Sequence, residues 1–188
     1  MRTTFKMLFC IVLSVVLLGC KTEGKQDNTN ASSEEQQAST ERQGQAFIKD
    51  DVAKPNVLQI AISSPDHTTL VTAVQAAQLE NALVNAGPLM VFAPTNEAFA
   101  ALPEGTVENL LLPENKDQLA FILKHHVTPG NYSKDFLKKF KQLGQASNQN
   151  IPVEVKGEDV YVGGAKIIAS IPAGNGIVHV VDKVILPN

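Results

Sequence analysis

Near Leu143 the spacing of apolar residues shifts from roughly every 3.6 positions to every second position, and no other feature of the chain limits its fold as much. Ahead of the shift, Val57, Leu58, Ile60, Ala61 and Ile62 form a short helical stripe that Ser63-Ser64-Pro65 stops. Thr68 or Thr69 is placed to cap a helix bearing Leu70, Val71, Val74 and Ala77, and the helical period runs on through 79–84 until Gly87-Pro88 breaks it. Leu89-Met90-Val91-Phe92 reads as a buried strand. Thr95 then caps a helix with Ala98, Phe99 and Leu102 on its inner face, and Thr106 repeats the device for Val107, Leu110 and Leu111. Residues 116–127 make a longer helix with Leu119, Ile122, Leu123 and His126 on one stripe. Thr128-Pro129-Gly130 reads as a turn, because Pro fixes φ and Gly accepts the left-handed region, and a short helix with Phe136, Leu137 and Phe140 follows.

Beyond the shift, Ile151, Val153 and Val155 alternate with Pro152, Glu154 and Lys156. Turns at Gly157-Glu158-Asp159, Gly163-Gly164 and Gly174-Asn175-Gly176 separate further strands at 160–162, 166–171 and 177–181, and the chain closes on Val184-Ile185-Leu186. Such strands make antiparallel hairpins. A helical half followed by a strand-rich half predicts an α+β fold rather than a parallel wound sheet. No internal repeat is visible.

Both cysteines, Cys10 and Cys20, fall in the first twenty residues, so the folding part has no disulfide and rests on its core alone. The first six residues carry Arg2 and Lys6, and residues 7–18 are apolar except for Ser14. That run is short for a membrane span and suits an export signal. It ends in Leu17-Leu18-Gly19-Cys20, which resembles the bacterial lipobox. The resemblance implies cleavage before Cys20 and acylation of Cys20, with palmitate-like chains holding the protein to a membrane. Lys21, where an Asp would mark inner-membrane retention, points to the outer membrane of a two-membrane envelope.

Residues 21–52 are rich in Gln, Asn, Ser, Thr, Glu and Lys, with Phe47 and Ile48 the only large apolar exceptions, and predict a disordered tether. The expected organisation is therefore a signal peptide at 1–19, an anchor and tether at 20–53, and a folded domain at 54–188. Without Arg2 and Lys6 the chain keeps 14 basic against 19 acidic residues, a net charge near −5, which argues against nucleic acid as a partner.

Three segments of the folded part resemble a known family. MVFAPTNEAFAALP at 90–103 and GIVHVVDKVILP at 176–187 are similar to the two signatures of the fasciclin-like domain, and HHVTPGNY at 125–132 is similar to its Tyr-His segment. In that segment His126 matches the histidine and His125 stands where the family has tyrosine. The resemblance implies a wedge-shaped β-sandwich of about seven strands with several short helices on its flank. It also implies an extracellular adhesion or matrix-binding role.

The candidate site residues divide by chemistry. Cys20 is the lipid attachment point. His125, His126 and Tyr132 form a possible partner-binding segment. Pro94, Thr95, Asn96, His179 and Asp182 are signature positions with structural explanations: Pro94 ends a strand, Thr95 caps a helix, and Asn96 bonds backbone at the turn. Val178 and Val180 should share one face of their strand and His179 the other. His126 should be buried and bonded to backbone, with the Tyr132 ring packed and its hydroxyl near the surface. Adjacent histidines on a helix do not make the i, i+4 zinc pair, so no metal is expected, and no motif calls for a cofactor. The expected function is a non-catalytic binding module that contacts a protein or polysaccharide at the envelope. The competing expectation is a carrier with an apolar cleft between helices and sandwich; a lined cavity would favour it.

Overall fold

The computed structural model describes residues 54–187, leaving aside Ala86 and the Asn85 side chain. The leader, Cys20 and the tether fall outside the described residues. Seven helices precede or interleave seven strands: α1 (Val57–Ser63), α2 (Thr68–Ala76), α3 (Glu80–Asn85), β1 (Leu89–Pro94), α4 (Asn96–Ala100), α5 (Thr106–Leu110), α6 (Lys116–His125), β2 (Val127–Pro129), α7 (Lys134–Leu137), β3 (Gln142–Gly144), β4 (Asn150–Lys156), β5 (Asp159–Val162), β6 (Ala165–Ala173) and β7 (Gly176–Val181). The fold is α+β, as the change of period indicates.

The strands form one sheet in the order β2-β1-β7-β6-β5-β4-β3. From β3 to β7 each strand pairs antiparallel with the next, as the hairpin spacing predicts. The exception is β1, which runs parallel to β7 from Leu89↔Gly176 to Pro94↔Val181. The pair forms because β1 is apolar on both faces and needs neighbours on both edges. The two end strands approach each other: the Ala146 N–H donates to the Val127 carbonyl at 2.7 Å, and Thr128 Oγ1 to Gln145 Oε1 at 2.9 Å. The sheet is thus a nearly closed wedge.

Alternation along β1 creates two cores. Met90 and Phe92 point into the wedge, where they meet Leu137, Val160, Val162, Ile167 and Val181. Leu89, Val91 and Ala93 point outward to Val57, Leu58, Leu70, Val74, Leu119 and Leu123 of α1, α2 and α6. β7 splits likewise: Val178 joins the helical core, while Ile177 and Val181 face the wedge.

Several local expectations change. Thr106 is the first residue of α5 rather than its cap; Gly105 takes the N-cap position, with no side-chain bond. α2 does not continue into α3, because Gln78 turns the chain with φ 56° and the Leu79 N–H reaches back to the Val74 carbonyl. Thr128-Pro129 belongs to strand β2, paired with β1, and only Gly130, φ 128°, turns. Residues 184–186 form no strand, yet Ile185 is buried. At the start of β7 a side chain on Gly176 would overlap the Leu89 carbonyl oxygen, so the parallel pair needs glycine there.

Candidate functional site

Pro94, Thr95 and Asn96 sit where β1 passes into α4. Pro94 is fully buried at the strand end. Thr95 Oγ1 accepts from the Ala98 N–H at 3.2 Å, a side-chain N-cap. Asn96 reaches a different helix: its Oδ1 accepts from the Thr69 N–H at 3.0 Å and from Thr68 Oγ1 at 3.2 Å, and its Nδ2 donates to the Pro65 carbonyl at 2.9 Å. α2 is therefore capped from a distance, not by its own Thr68 or Thr69. Asn175 performs a similar task that its place in a Gly-Asn-Gly turn did not reveal. Its Oδ1 accepts from the Val57 N–H at the start of α1, and its Nδ2 donates to the Leu83 carbonyl of α3 at 2.7 Å.

All four histidines of the chain are buried. His125 and His126 point apart. The His125 ring bonds Ser147 Oγ at 2.9 Å, and burial lowers its pKa. His126 lies between Nδ1, which donates to the Ile122 carbonyl at 2.8 Å, and Nε2, which accepts from the Ile185 N–H at 2.9 Å. Those partners fix the neutral tautomer with hydrogen on Nδ1. Desolvation pushes His126 down to about 4, with the Ile122 carbonyl opposing the shift and neighbouring His125 adding to it. Neither imidazole is presented to solvent.

His179 lies at the wedge end of the same design. Its Nε2 donates to the Tyr132 carbonyl at 2.9 Å and its Nδ1 accepts from Ser170 Oγ at 2.7 Å, while its ring stacks on Phe92 with centroids 5.8 Å apart. Burial lowers its pKa, against the pull of the Tyr132 carbonyl. Asp182 is not part of this group: exposed, it accepts from the Lys166 N–H at 2.7 Å. Ser170 and His179 therefore meet without a carboxylate behind them. Among the described residues no cluster of three or more His, Cys, Asp or Glu side chains is placed to hold a metal ion.

Tyr132, pressed against Gly130, opens a surface that the apolar period of 136–140 concealed. Its ring packs at 5.5 Å on Phe136 and at 5.1 Å on Phe140, and Phe136 and Phe140 meet edge-on at 5.5 Å. Leu137 is buried in the wedge core, Tyr132 and Phe140 pack half-buried against it, and Phe136 is 42% exposed. Four lysines and one aspartate lie within residues 134–141. Lys138 is matched by Asp135 at 3.1 Å and Glu158 at 3.6 Å, while the Lys139 ammonium lies 5.0 Å from the Phe136 ring centroid. Lys134, Lys139 and Lys141 have no ion-pair partner among the described residues. The result is an aromatic and cationic face on an otherwise acidic chain.

On the other side of β1, the helical core is incompletely filled. A cavity of about 260 Å³ lies between α1, α2, α3 and the sheet, walled by residues such as Leu58, Ala61, Val74, Leu83, Val91 and Val178. Of its lining residues only Lys124 and His126 are not apolar.

A mixed sheet closed into a wedge, helices on one flank and both signature segments at the β1–β7 seam define a class. The Fasciclin domain model matches residues 65–187, and the chain belongs to the Fasciclin family. It is 46% identical over 132 residues to Protein sll1483 of Synechocystis sp., which covers 70% of this chain and 73% of that protein. It is 34% identical over 150 residues to transforming growth factor-beta-induced protein ig-h3 of Sus scrofa, covering 78% of this chain but 22% of ig-h3. Among solved structures it is similar to a domain pair from the insect cell adhesion molecule Fasciclin I, with TM-score 0.48 and 21% identity, over 62% of this chain and 45% of that one.

Proposed function

We propose that this protein is a non-catalytic binding module, held to the outer membrane of a bacterial envelope by acyl chains on Cys20, that contacts an acidic protein or polysaccharide. The observation that carries this reading is the face formed by Tyr132, Phe136 and Phe140 with Lys134, Lys139 and Lys141. The exposed Phe136 ring, backed by the half-buried Tyr132 and Phe140, supplies apolar contact area, and ammonium groups without an ion-pair partner steer and select negative charge. Membership of a family of adhesion-type domains supports it. The non-catalytic part rests on the histidines: each of the three in the signature segments is engaged at both ring nitrogens or buried against a hydroxyl, holding strands and loops together. His179, bonded to the Tyr132 carbonyl, positions that face, while His125 and His126 hold Ser147 and Ile185 and act on binding only through the fold.

The test is a cross-linking pulldown from intact cells with the native protein, a domain-deleted anchor, and a Lys134→Glu, Lys139→Glu, Lys141→Glu triple variant. The native protein should recover a partner, and recovery should fall as salt rises. The triple variant should lose it with an unchanged unfolding temperature. Equal recovery by native and triple variant would refute the assignment of this face. Cys20→Ala should release the protein from the membrane fraction; membrane retention of that variant would refute the anchor.

A second reading, carriage of a small apolar ligand, is favoured by one specific observation: the apolar cavity between helices and sheet.

A further inference from the structure

We propose that the cavity between α1, α2, α3 and the sheet is a binding site for a single-chain amphiphile with an anionic head, a free fatty acid in chemical class. The inference rests on the carrier reading and names its ligand. An apolar cavity holds water poorly, because a buried water needs polar partners, whereas a hydrocarbon chain gains by leaving solvent. Here the wall offers few: it is overwhelmingly apolar, Lys124 is at the exposed rim, and His126 has both ring nitrogens occupied by Ile122 and Ile185. At about 260 Å³ the space lies just under the ~300–1,000 Å³ usual for small-molecule sites, room for one chain rather than the two of a phospholipid.

The cover and the rim are also defined. α3 spans six residues, and its cavity-lining Leu83 and Ala82 are only partly buried or exposed. Its Leu83 carbonyl is tied to the Asn175 side chain and not to a strand backbone, so displacing α3 would leave the strand ladders intact. Lys124 is the one charged residue on the lining; it is exposed and has no ion-pair partner among the described residues. A carboxylate there gains a charge-assisted bond while its chain lies under α3.

The experiment titrates dodecanoate, below its micelle concentration, into the full chain carrying Cys20→Ala, so that no acyl group of the protein itself competes. Saturable binding of about one equivalent is expected, and Ala61→Phe, which fills the cavity, should weaken it roughly tenfold or more. Ala82→Phe, on the exposed rim, should do the same by narrowing the entrance, and stands in if Ala61→Phe does not fold. Lys124→Glu should weaken dodecanoate roughly tenfold and leave dodecanol unaffected. Absence of saturable binding, or binding that survives both phenylalanine variants, overturns the site. Equal loss of dodecanoate and dodecanol in Lys124→Glu overturns the anionic head. Binding by Cys20→Ala but not by the native acylated chain overturns the free acid in favour of the protein's own anchor. Binding abolished by the Lys134, Lys139, Lys141 triple variant would also overturn the site, placing the ligand on the aromatic face instead; failure of the acidic-partner reading leaves every one of these outcomes unchanged.

Discussion

The two sides of β1 face cores of the same chemistry and different completeness. Inside the wedge, Met90, Phe92, Val160, Val162, Ala165, Ile167 and Val181 are wholly removed from solvent. On the helical side no member of the cluster reaches zero exposure, and a cavity remains between the helices and the strand. The difference follows from how each core is enclosed. Strands bonded edge to edge hold their side chains at fixed spacing and interdigitate. Six short helices, α1 to α6, capped partly by remote side chains such as Asn96 and Asn175, close over the sheet less tightly. Rigidity is therefore concentrated in the wedge, and adaptable space in the helical layer.

The largest expected contrast comes from truncation. Phe92→Ala should lower stability by ~3–5 kcal/mol, since the closed wedge cannot collapse around the hole. Leu83→Ala, over the existing cavity, should cost only ~1 kcal/mol. Denaturant unfolding with unchanged slope checks both; similar losses would erase the distinction between the cores.

The next effect is acid sensitivity, which crosses the boundary. His126 has a folded pKa of about 4 against an ordinary 6.5. Between those values the unfolded chain binds a proton that the folded one excludes, so stability falls as pH drops through this window and levels off below it. His126 alone accounts for about 3 kcal/mol of that fall. His67, His125 and His179, also shifted downward by burial, act in the same direction. His126→Ala should cost ~1–3 kcal/mol at neutral pH by orphaning the Ile185 N–H, and should flatten the acid limb. Thermal unfolding from pH 7 to pH 4 measures both; a variant with the native slope would refute the assignment.

Enlarging a side chain sharpens the comparison further. Val162→Leu, in the filled wedge, should destabilise by ~1–3 kcal/mol, whereas Val74→Leu, beside the cavity, should be neutral or stabilise by less than ~1 kcal/mol. The smallest of these effects is Asn96→Ala, with a loss of ~1 kcal/mol from an uncapped α2.

What the sequence revealed was local. The period of 2 beyond Leu143 marked β4 to β7, and Thr95 before an apolar helical stripe marked a cap, because each signal is complete within a few residues. The sequence around Asn96 points to backbone bonds at its own turn, since nothing nearby shows that the open N-terminus of α2 lies against it. The parallel β1–β7 pair was hidden for the same reason, and with it the role of Asn175, which touches α1 and α3 only once β7 is seated. Phe136 and Phe140 both fit an inward helical stripe; α7 ends at Leu137, and Phe136 is left exposed while Phe140 packs half-buried against the wedge core. The cavity is a volume left between elements, and no residue pattern encodes it.

The place of β7 has a consequence for how the protein is made. Among the described residues it is the last strand in chain order, and it stands inside the sheet, between β1 and β6. A ribosome or an export channel delivers the polypeptide from its N-terminus, so β1 emerges long before the partner that completes it. Until residues 176–181 are released, β1 has only the short β2 to pair with, and the final segment that supplies the Ile185 N–H to His126 is also absent. The sheet thus stays incomplete until residues 176–181 are available, and residues 176–185 act as the latch that commits the chain to its folded form.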